Sequence, residues 1–387
     1  MSGLDFDVVV IGAGIAGASV AAELASSRRV LVIERESQPG YHSTGRSAAL
    51  FSEIYGPEAV RALSRASRQT LFHPPADLAD APLTRRRGAL YIAPEAEVET
   101  LRAFADLPDV AGATRLVSVE EAYALCPLLR PGHVVAAVYE PDAADVDVHA
   151  LHQGYLRQVR QRGGELKTEC EVTAIRPCAG GWILEIGGLS VSAGIVVNAA
   201  GAWADRVAAL AGVLPIGLQP MRRTAVLVDP PAGMNPDAWP MVIGAEETFY
   251  FKPDAGKLLL SPADETPVEP CDVQPDEWDV AVAVDRVEQA TILQVRQVRH
   301  RWAGLRSFVP DRSPVIGFEP GVNGFFWLAA QGGYGIQAGP GIAMLAAALV
   351  LGRPLPDVLV SAGVKPASVS PARLRTANRD PAVQAAG

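Results

Sequence analysis

The sequence predicts an α/β fold in which a Rossmann-like unit is interleaved with an α+β domain built around a large antiparallel sheet. Three observations point there. Residues 6–34 read strand, helix, strand with a glycine-rich turn between the first two. Residues 216–300 carry short β-rich runs separated by Pro, Gly and Asp. A last strand, Phe325–Ala329, leads through a glycine-rich turn into a helix, so the pattern of the N-terminal unit returns at the other end of the chain.

At about 150 residues per domain, 387 residues suggest two or three units with developed cores. Apolar residues at 49% and charged residues at 20% are ordinary globular usage. Lys and Arg number 34 against 43 Asp and Glu, and the net charge of -9 argues against a nucleic-acid or anionic-membrane partner. Cys126, Cys170, Cys178 and Cys271 form no CxxC pair, which points away from zinc and disulfides and toward a reducing cytoplasm. Asp5 and Asp7 precede the first apolar run, so it reads as a buried strand and not a signal peptide. The uncharged stretch 320–352 is broken by eight glycines and two prolines, and its apolar core, 342–351, is too short to span a bilayer. A cytoplasmic location is expected, with peripheral attachment to the inner membrane as the alternative.

In order along the chain, Phe6–Ile11 is an apolar strand, 15–24 a helix and 29–34 a second strand ending in a carboxylate. Residues 57–70 have a helical pattern; Pro74-Pro75, a basic loop at 85–87 and the strand Ala89–Ala93 follow. Asp147 can cap an amphipathic helix over 151–161 that Gly163-Gly164 ends. Strands follow at 172–175, 182–186 and 195–198, then β-rich runs at 224–228, 248–251 and 257–260. Residues 341–351 form the last helix, and the chain beyond Pro366 reads as a mobile end. His149 and His152, near Asp145 and Asp147, belong to a capped first helical turn and not to a metal site.

Gly12-Ala13-Gly14-Ile15-Ala16-Gly17 stands where the first strand hands over to the helix. The first glycine permits the turn, the second lets a pyrophosphate approach the backbone, and the third allows close helix packing. Glu34, 22 residues after Gly12, is placed to accept hydrogen bonds from both ribose hydroxyls of an adenosine and would repel a 2'-phosphate. The motif binds a dinucleotide and leaves FAD and NAD both open.

Further segments favour FAD. Pro39-Gly40-Tyr41-His42-Ser43-Thr44-Gly45-Arg46-Ser47-Ala48-Ala49 follows the β-α-β unit, and here the chain resembles the D-amino-acid oxidase and glycine oxidase superfamily. Within it the chain is most similar to FAD-dependent D-arginine dehydrogenases. The likeness continues through 198–203, 218–223, 249–254, 302–308 and 331–337. It implies a Rossmann-like FAD-binding domain formed by 1–48, 142–215 and 305–366, interleaved with a substrate domain formed by 49–141 and 216–304, and a tail at 367–387.

Loop 43–49 offers backbone N–H groups and the Arg46 guanidinium to phosphate or flavin oxygens. Gly332-Gly333-Tyr334-Gly335, ahead of a helix, suits the negative charge that collects at flavin N1 and C2=O. The resemblance adds Arg35, Leu50, Val172, Ala200, Gly201, Trp203, Gly304, Arg306, Ile336 and Gln337 to the cofactor set. Residues 306–309 contain no cysteine, and noncovalent FAD is expected.

By the same resemblance Arg223, Tyr250 and Arg306 match residues that hold a substrate carboxylate, Tyr55 borders the amino group, and the Gly333 carbonyl accepts from the amine. Arginine and tyrosine are suited to clamping a carboxylate. The chain departs from D-arginine dehydrogenases at two positions: their side-chain-reading glutamate falls at Ala89, and an active-site histidine falls at Leu50. A buried cation without a carboxylate partner is costly. The expected substrates are therefore apolar D-amino acids such as D-Leu, D-Met or D-Phe, in a pocket lined by Leu50, Ser52, Ala89, Met241, Ile243 and Gln337. The expected reaction is hydride transfer from Cα to flavin N5, giving an imino acid that hydrolyses to a 2-oxo acid and ammonia. Alternatives are a glycine- or sarcosine-type amine oxidase, a 2-hydroxy-acid dehydrogenase and a noncatalytic flavin-binding subunit. Whether oxygen or a quinone takes the electrons is left open by the sequence.

Overall fold

The computed structural model describes residues 4–377. Phe6–Ile11 is the central strand of the first sheet, and its last four residues are fully buried. It pairs in parallel with Val30–Ile33 on one side and with the end of Leu189–Asn198 on the other. Glu165–Lys167 extends this parallel core at one edge and Phe325–Ala329 at the other. Strands covered on both faces read as continuous apolar runs, which is why this core shows no alternation. The first half of Leu189–Asn198 turns back antiparallel on Gly181–Ile186, which carries Val172–Cys178, and Val315–Phe318 pairs antiparallel with Phe325–Ala329.

The helices Ile15–Ala25, Val148–Gln161 and Gly339–Leu351 bury one face of this sheet. Ile15–Ala25 is apolar nearly all round because it is enclosed on every side. Asp147 caps Val148–Gln161 as expected, its carboxylate accepting from the Ala150 N–H at 2.8 Å. His152, on the first turns of that helix, places Nε2 against the Ala13 carbonyl, 2.8 Å away.

The second sheet runs in the order Thr266–Pro267, Gln219–Val228, Lys257–Ser261, Tyr250–Asp254, Met241–Gly244, Ala89–Ala93, Ala136–Glu140, Arg115–Val117. Val298–Phe308 pairs along the whole of Gln219–Val228. The sheet is antiparallel except where Met241–Gly244 joins Ala89–Ala93 in parallel. A small ribbon of Leu50–Phe51, Ala144–Val146 and Thr84–Arg86 lies apart from both sheets. The fold is thus mixed α/β, a largely parallel, Rossmann-like sheet together with a largely antiparallel one.

Two sequence expectations are corrected. The basic run at 85–87 is only in part a loop: Arg85 and Arg86 belong to the strand Thr84–Arg86 while Arg87 follows it, and Arg86 pairs with Asp142 and Arg87 with Asp145. Nor is the chain beyond Pro366 a mobile end as far as residue 377. Pro366–Ser368 and Ala372–Ala377 are helical, and Leu374 packs on the first sheet. Arg375 reaches both oxygens of Glu319 at 2.9 and 2.8 Å and the carbonyls of Leu214 and Pro215. The rest of that tail lies outside the described residues. Among the described residues no helix is long and apolar enough to cross a membrane.

The Glu319 carboxylate is buried and otherwise meets the indole N–H of Trp327 at 2.8 Å. Arg375→Ala removes its cation, so the unfolding free energy is expected to fall by about 3 kcal/mol. Urea denaturation reads this directly; a change below about 0.5 kcal/mol would mean that the docked end contributes nothing to stability.

Candidate active site

The first strand ends at Gly12, whose φ of +102° is open to glycine. A Cβ there would stand 2.4 Å from the Ala199 carbonyl oxygen, and one on Gly17 would stand 1.8 Å from the Gly12 oxygen. Gly14 lies against the Thr44 hydroxyl, which accepts from the Ile15 N–H at 3.0 Å. Gly12 and Gly17 are therefore required by close backbone approach, while Gly14 meets only the Thr44 side chain. The Glu34 carboxylate accepts from the Ala13 N–H at 2.8 Å and the Glu36 N–H at 3.0 Å. Each oxygen keeps a lone pair for a further donor.

Three cavities follow one another from this turn. The outermost, about 510 Å³, is walled by Gly12, Glu34, Arg35, Val172, Ala200 and Trp203 among others. Gly14, Ser43, Thr44 and Gly201 are shared with a middle cavity of about 150 Å³, which adds Ile15, Ala16, Arg46, Ser47, Ala48, Gly304, Gly332, Gly333, Gly335 and Ile336. Arg223, Tyr250, Arg306 and Gly333 separate it from an inner compartment of about 70 Å³, lined also by Ala49, Leu50, Ser52, Tyr55, Met241, Ile243 and Gln337. Gln337 is fixed there by donating to Ser64 Oγ at 3.0 Å.

Two buried polar atoms along this tract, Nδ1 of His42 in the outer cavity and Nε2 of Gln331 in the middle one, have no hydrogen-bond partner among the described residues. With the glycine cradles, they fit an elongated polar ligand.

Several expected residues have other roles. Arg46 lines the middle cavity, and its guanidinium pairs with Asp272 and donates to the Val273 and Ala303 carbonyls at 2.9 and 3.2 Å, so its charge is already met within the protein. Gly17 lies behind the turn, and Gly45 is off these walls, its N–H closing a turn onto the Gly40 carbonyl. The Tyr334 ring stacks edge-on against Tyr55 and Phe308 instead of lining the cavities. Ala89 is fully buried behind the inner compartment, paired with Met241 and, on the other side, with Glu140.

Arg223 and Arg306 differ in their partners. Arg223 pairs with Glu265 at 3.0 Å and donates to the Asp264 carbonyl, while its neighbour Arg222, on the opposite face of the strand, pairs with Asp279. Arg306 meets the Tyr55 hydroxyl at 3.1 Å and, among the described residues, no carboxylate within salt-bridge distance. Gly333 makes room for it, since a Cβ there would come within 2.8 Å of the guanidinium. Burial pushes the Tyr250 phenol up, but Arg306 and Arg223 outweigh it and leave its pKa below the usual value.

Sequence reasoning missed Tyr91, Glu247 and Phe249 in the inner compartment. It also missed Glu140, which accepts from Ser52 Oγ at 2.8 Å and from the Glu53 N–H at 3.0 Å. Burial raises this carboxyl to about 7.

Comparison with known proteins places the chain. Residues 7–349 match the family of FAD dependent oxidoreductases (DAO), and the chain belongs to that family. It is 26% identical to glycine oxidase of Geobacillus kaustophilus (strain HTA426) over 89% of this chain and 93% of that protein. It is also 26% identical to mitochondrial dimethylglycine dehydrogenase of Mus musculus, over 59% of this chain but 28% of that longer protein. Its fold is similar to the crystal structure of L-proline dehydrogenase from P. horikoshii, with a TM-score of 0.79, 24% identity, and coverage of 96% and 98% of the two chains. The cofactor of this family is FAD, and the chain binds it.

Gly12→Ala is expected to yield protein purified without bound flavin, through both the positive φ and the Ala199 contact; a yellow variant with wild-type absorbance would refute the cradle. Between about pH 4.5 and 7 the folded chain holds a proton on Glu140 that the unfolded chain releases, so stability falls as pH rises through that window. The unfolding free energies of wild type and Glu140→Gln from urea titrations should diverge by about 3 kcal/mol from pH 5 to pH 8, with the variant relatively more stable at the higher pH. Parallel curves would show an ordinary carboxyl.

Proposed function

We propose that this chain oxidises the Cα–N bond of small α-amino acids, with D-amino acids of small, largely apolar side chain as substrates. The observation that carries this reading is Arg306, a guanidinium at the wall between the middle and inner cavities with no carboxylate within salt-bridge distance among the described residues. An enclosed cation without a counter-ion is costly, and a substrate carboxylate relieves that cost with two charge-assisted hydrogen bonds. Tyr55 orients the guanidinium from one side, and Tyr250, drawn toward its charged form by both arginines, donates readily to the same carboxylate.

The inner compartment limits the size of the side chain that a bound amino acid can carry. At about 10–15 Å³ per water, 70 Å³ holds roughly five water-sized groups, and Leu50, Met241, Ile243 and Phe249 make most of its wall apolar. This size favours small side chains over D-Leu, D-Met or D-Phe. The Gly333 carbonyl accepts from the amine, which fixes the direction in which Cα–H points.

The flavin, held without a covalent link, supplies the hydride acceptor. The chain's own part is to bind the carboxylate, orient the amine and exclude water. No side-chain base is required when the amine enters neutral. The product is an imino acid that hydrolyses to a 2-oxo acid and ammonia. The two sheets form the cores of the cofactor and substrate domains. A second reading, glycine or an N-substituted glycine as substrate, is favoured by the same small volume.

The test is anaerobic mixing of the yellow protein with D- and L-amino acids, glycine and sarcosine while the visible flavin band is monitored. Bleaching by small D-amino acids supports the first reading, bleaching by glycine or sarcosine alone supports the second, and no bleaching refutes both. Arg306→Ala should lower kcat/KM by about 10²–10³, mostly through KM.

A further inference from the structure

Arg223, Tyr250 and Arg306, the carboxylate clamp, all stand on strands of the second sheet: Gln219–Val228, Tyr250–Asp254 and Val298–Phe308. Tyr55, which orients Arg306 by accepting from its Nη1 at 3.1 Å, does not. It comes from irregular backbone, residues 52–57, between Leu50–Phe51 and the helix Glu58–Phe72. A side chain on a loop holds its geometry against a sheet only where the loop is itself tied down.

Glu140 makes that tie. It ends Ala136–Glu140, a strand of the same sheet, and is 2% exposed. One carboxylate oxygen accepts from Ser52 Oγ at 2.8 Å and the other from the Glu53 N–H at 3.0 Å. Ser52 Oγ in turn accepts from the Ile54 N–H at 3.3 Å. Directly or through Ser52, the acid therefore fixes the three residues ahead of Tyr55. Other groups restrain the segment from helices and loops: Arg68 pairs with Glu53 at 3.0 Å, Arg61 donates to the Gly56 carbonyl at 2.7 Å, and Gln337 to the Tyr55 carbonyl at 3.3 Å. The Arg68 pair is partly exposed, and hydrogen bonds to a buried carboxylate outweigh a solvated ion pair.

We propose that Glu140 is a positioning residue for substrate binding: it latches residues 52–54 to the second sheet, so that the Tyr55 hydroxyl stays on Arg306 and the clamp is complete before a carboxylate arrives. The inference rests on the clamp of the reading above and adds a residue to it. Glu140 lines none of the three cavities and acts only through Tyr55. A clamp that holds the carboxylate equally before and during reaction sets KM and leaves kcat nearly alone.

The experiment uses the FAD-bound enzyme at about pH 8.5, where Glu140 is ionised. One readout is the shift of the visible flavin band on titration with pyruvate, a small 2-oxo acid; the other is kcat and KM for D-alanine and glycine. Glu140→Ala is expected to weaken pyruvate binding and to raise KM, each about tenfold, with kcat changed less than about twofold. In Glu140→Gln the amide oxygen takes the Glu53 N–H and the NH₂ donates to Ser52 Oγ, so both values should return to within about twofold of wild type. Tyr55→Phe should show the same tenfold loss, and adding Glu140→Ala to it should weaken binding by no more than about twofold further. A merely structural role would make the two losses multiply. Should Glu140→Ala fail to hold flavin, Ser52→Ala carries the same test, with the same shared loss expected against Tyr55→Phe.

Unchanged pyruvate binding in Glu140→Ala or in Tyr55→Phe, or losses that multiply, overturn the latch and leave the clamp in place. Wild-type protein that binds no pyruvate overturns clamp and latch together. Pyruvate binding with the expected variant pattern, but without flavin reduction by any amino acid, overturns the amino-acid reading and supports the latch.

Discussion

Everything at the cofactor end depends on one close approach of backbone to backbone. The strand Phe6–Ile11 and the strand Leu189–Asn198 run parallel to their ends, where Ile11 pairs with Asn198 and the Ile11 carbonyl accepts from the Ala199 N–H. Just beyond, Gly12 lies against Ala199 with no space for a side chain. That contact sends the chain sharply into the helix Ile15–Ala25 and opens a cleft at the carboxyl ends of the parallel strands. The Thr44 hydroxyl closes one side of the cleft by accepting from the first turn of the helix. The three cavities line up because these pieces are fixed relative to one another.

At the other end of the tract, the pairing of charges decides function. Arg46, Arg87 and Arg222 sit in protein with their carboxylates beside them, so they hold the structure together and offer little to a ligand. Arg306 has a phenol instead, and Gly333 keeps its front clear. The same comparison separates the acids. Asp145 bridges Arg87 and the buried Lys252, whereas Glu140 is satisfied by a hydroxyl and an amide alone. An ion with neutral partners is the one whose state a small ligand can change.

These distinctions mark the boundary of what the sequence could reveal. The β-α-β unit and its three glycines were legible because strand, helix and turn are local and their spacing is set by geometry within a few residues. Asp147 was legible as a cap for the same reason. The partner of Arg46 was not legible, because its motif position says nothing about Asp272, which arrives from a distant segment. Glu140 left no signal, since its closeness to Ala89 and Ser52 is created only by strand register. Tyr91 was hidden inside the apolar run Ala89–Ala93, where alternation alone does not say which face meets a cavity. Arg375 shows a third kind of failure: a composition typical of loose ends carries one side chain that finds a buried acid.

The strand order of the first sheet has a consequence for how the molecule comes into being. Its parallel core takes strands from the start of the chain, from the middle and from residues 325–329, and the pairing of Phe6–Ile11 with Leu189–Asn198 joins segments separated by nearly half the sequence. Such non-local pairing is slow to nucleate. During synthesis the first strand and its glycine turn emerge with Val30–Ile33, Glu34 and Thr44 but long before Leu189–Asn198. The cleft at the glycine turn is therefore among the last features to be completed, and until then the N-terminal segment is an apolar strand with an open edge, the kind of surface that a chaperone shields.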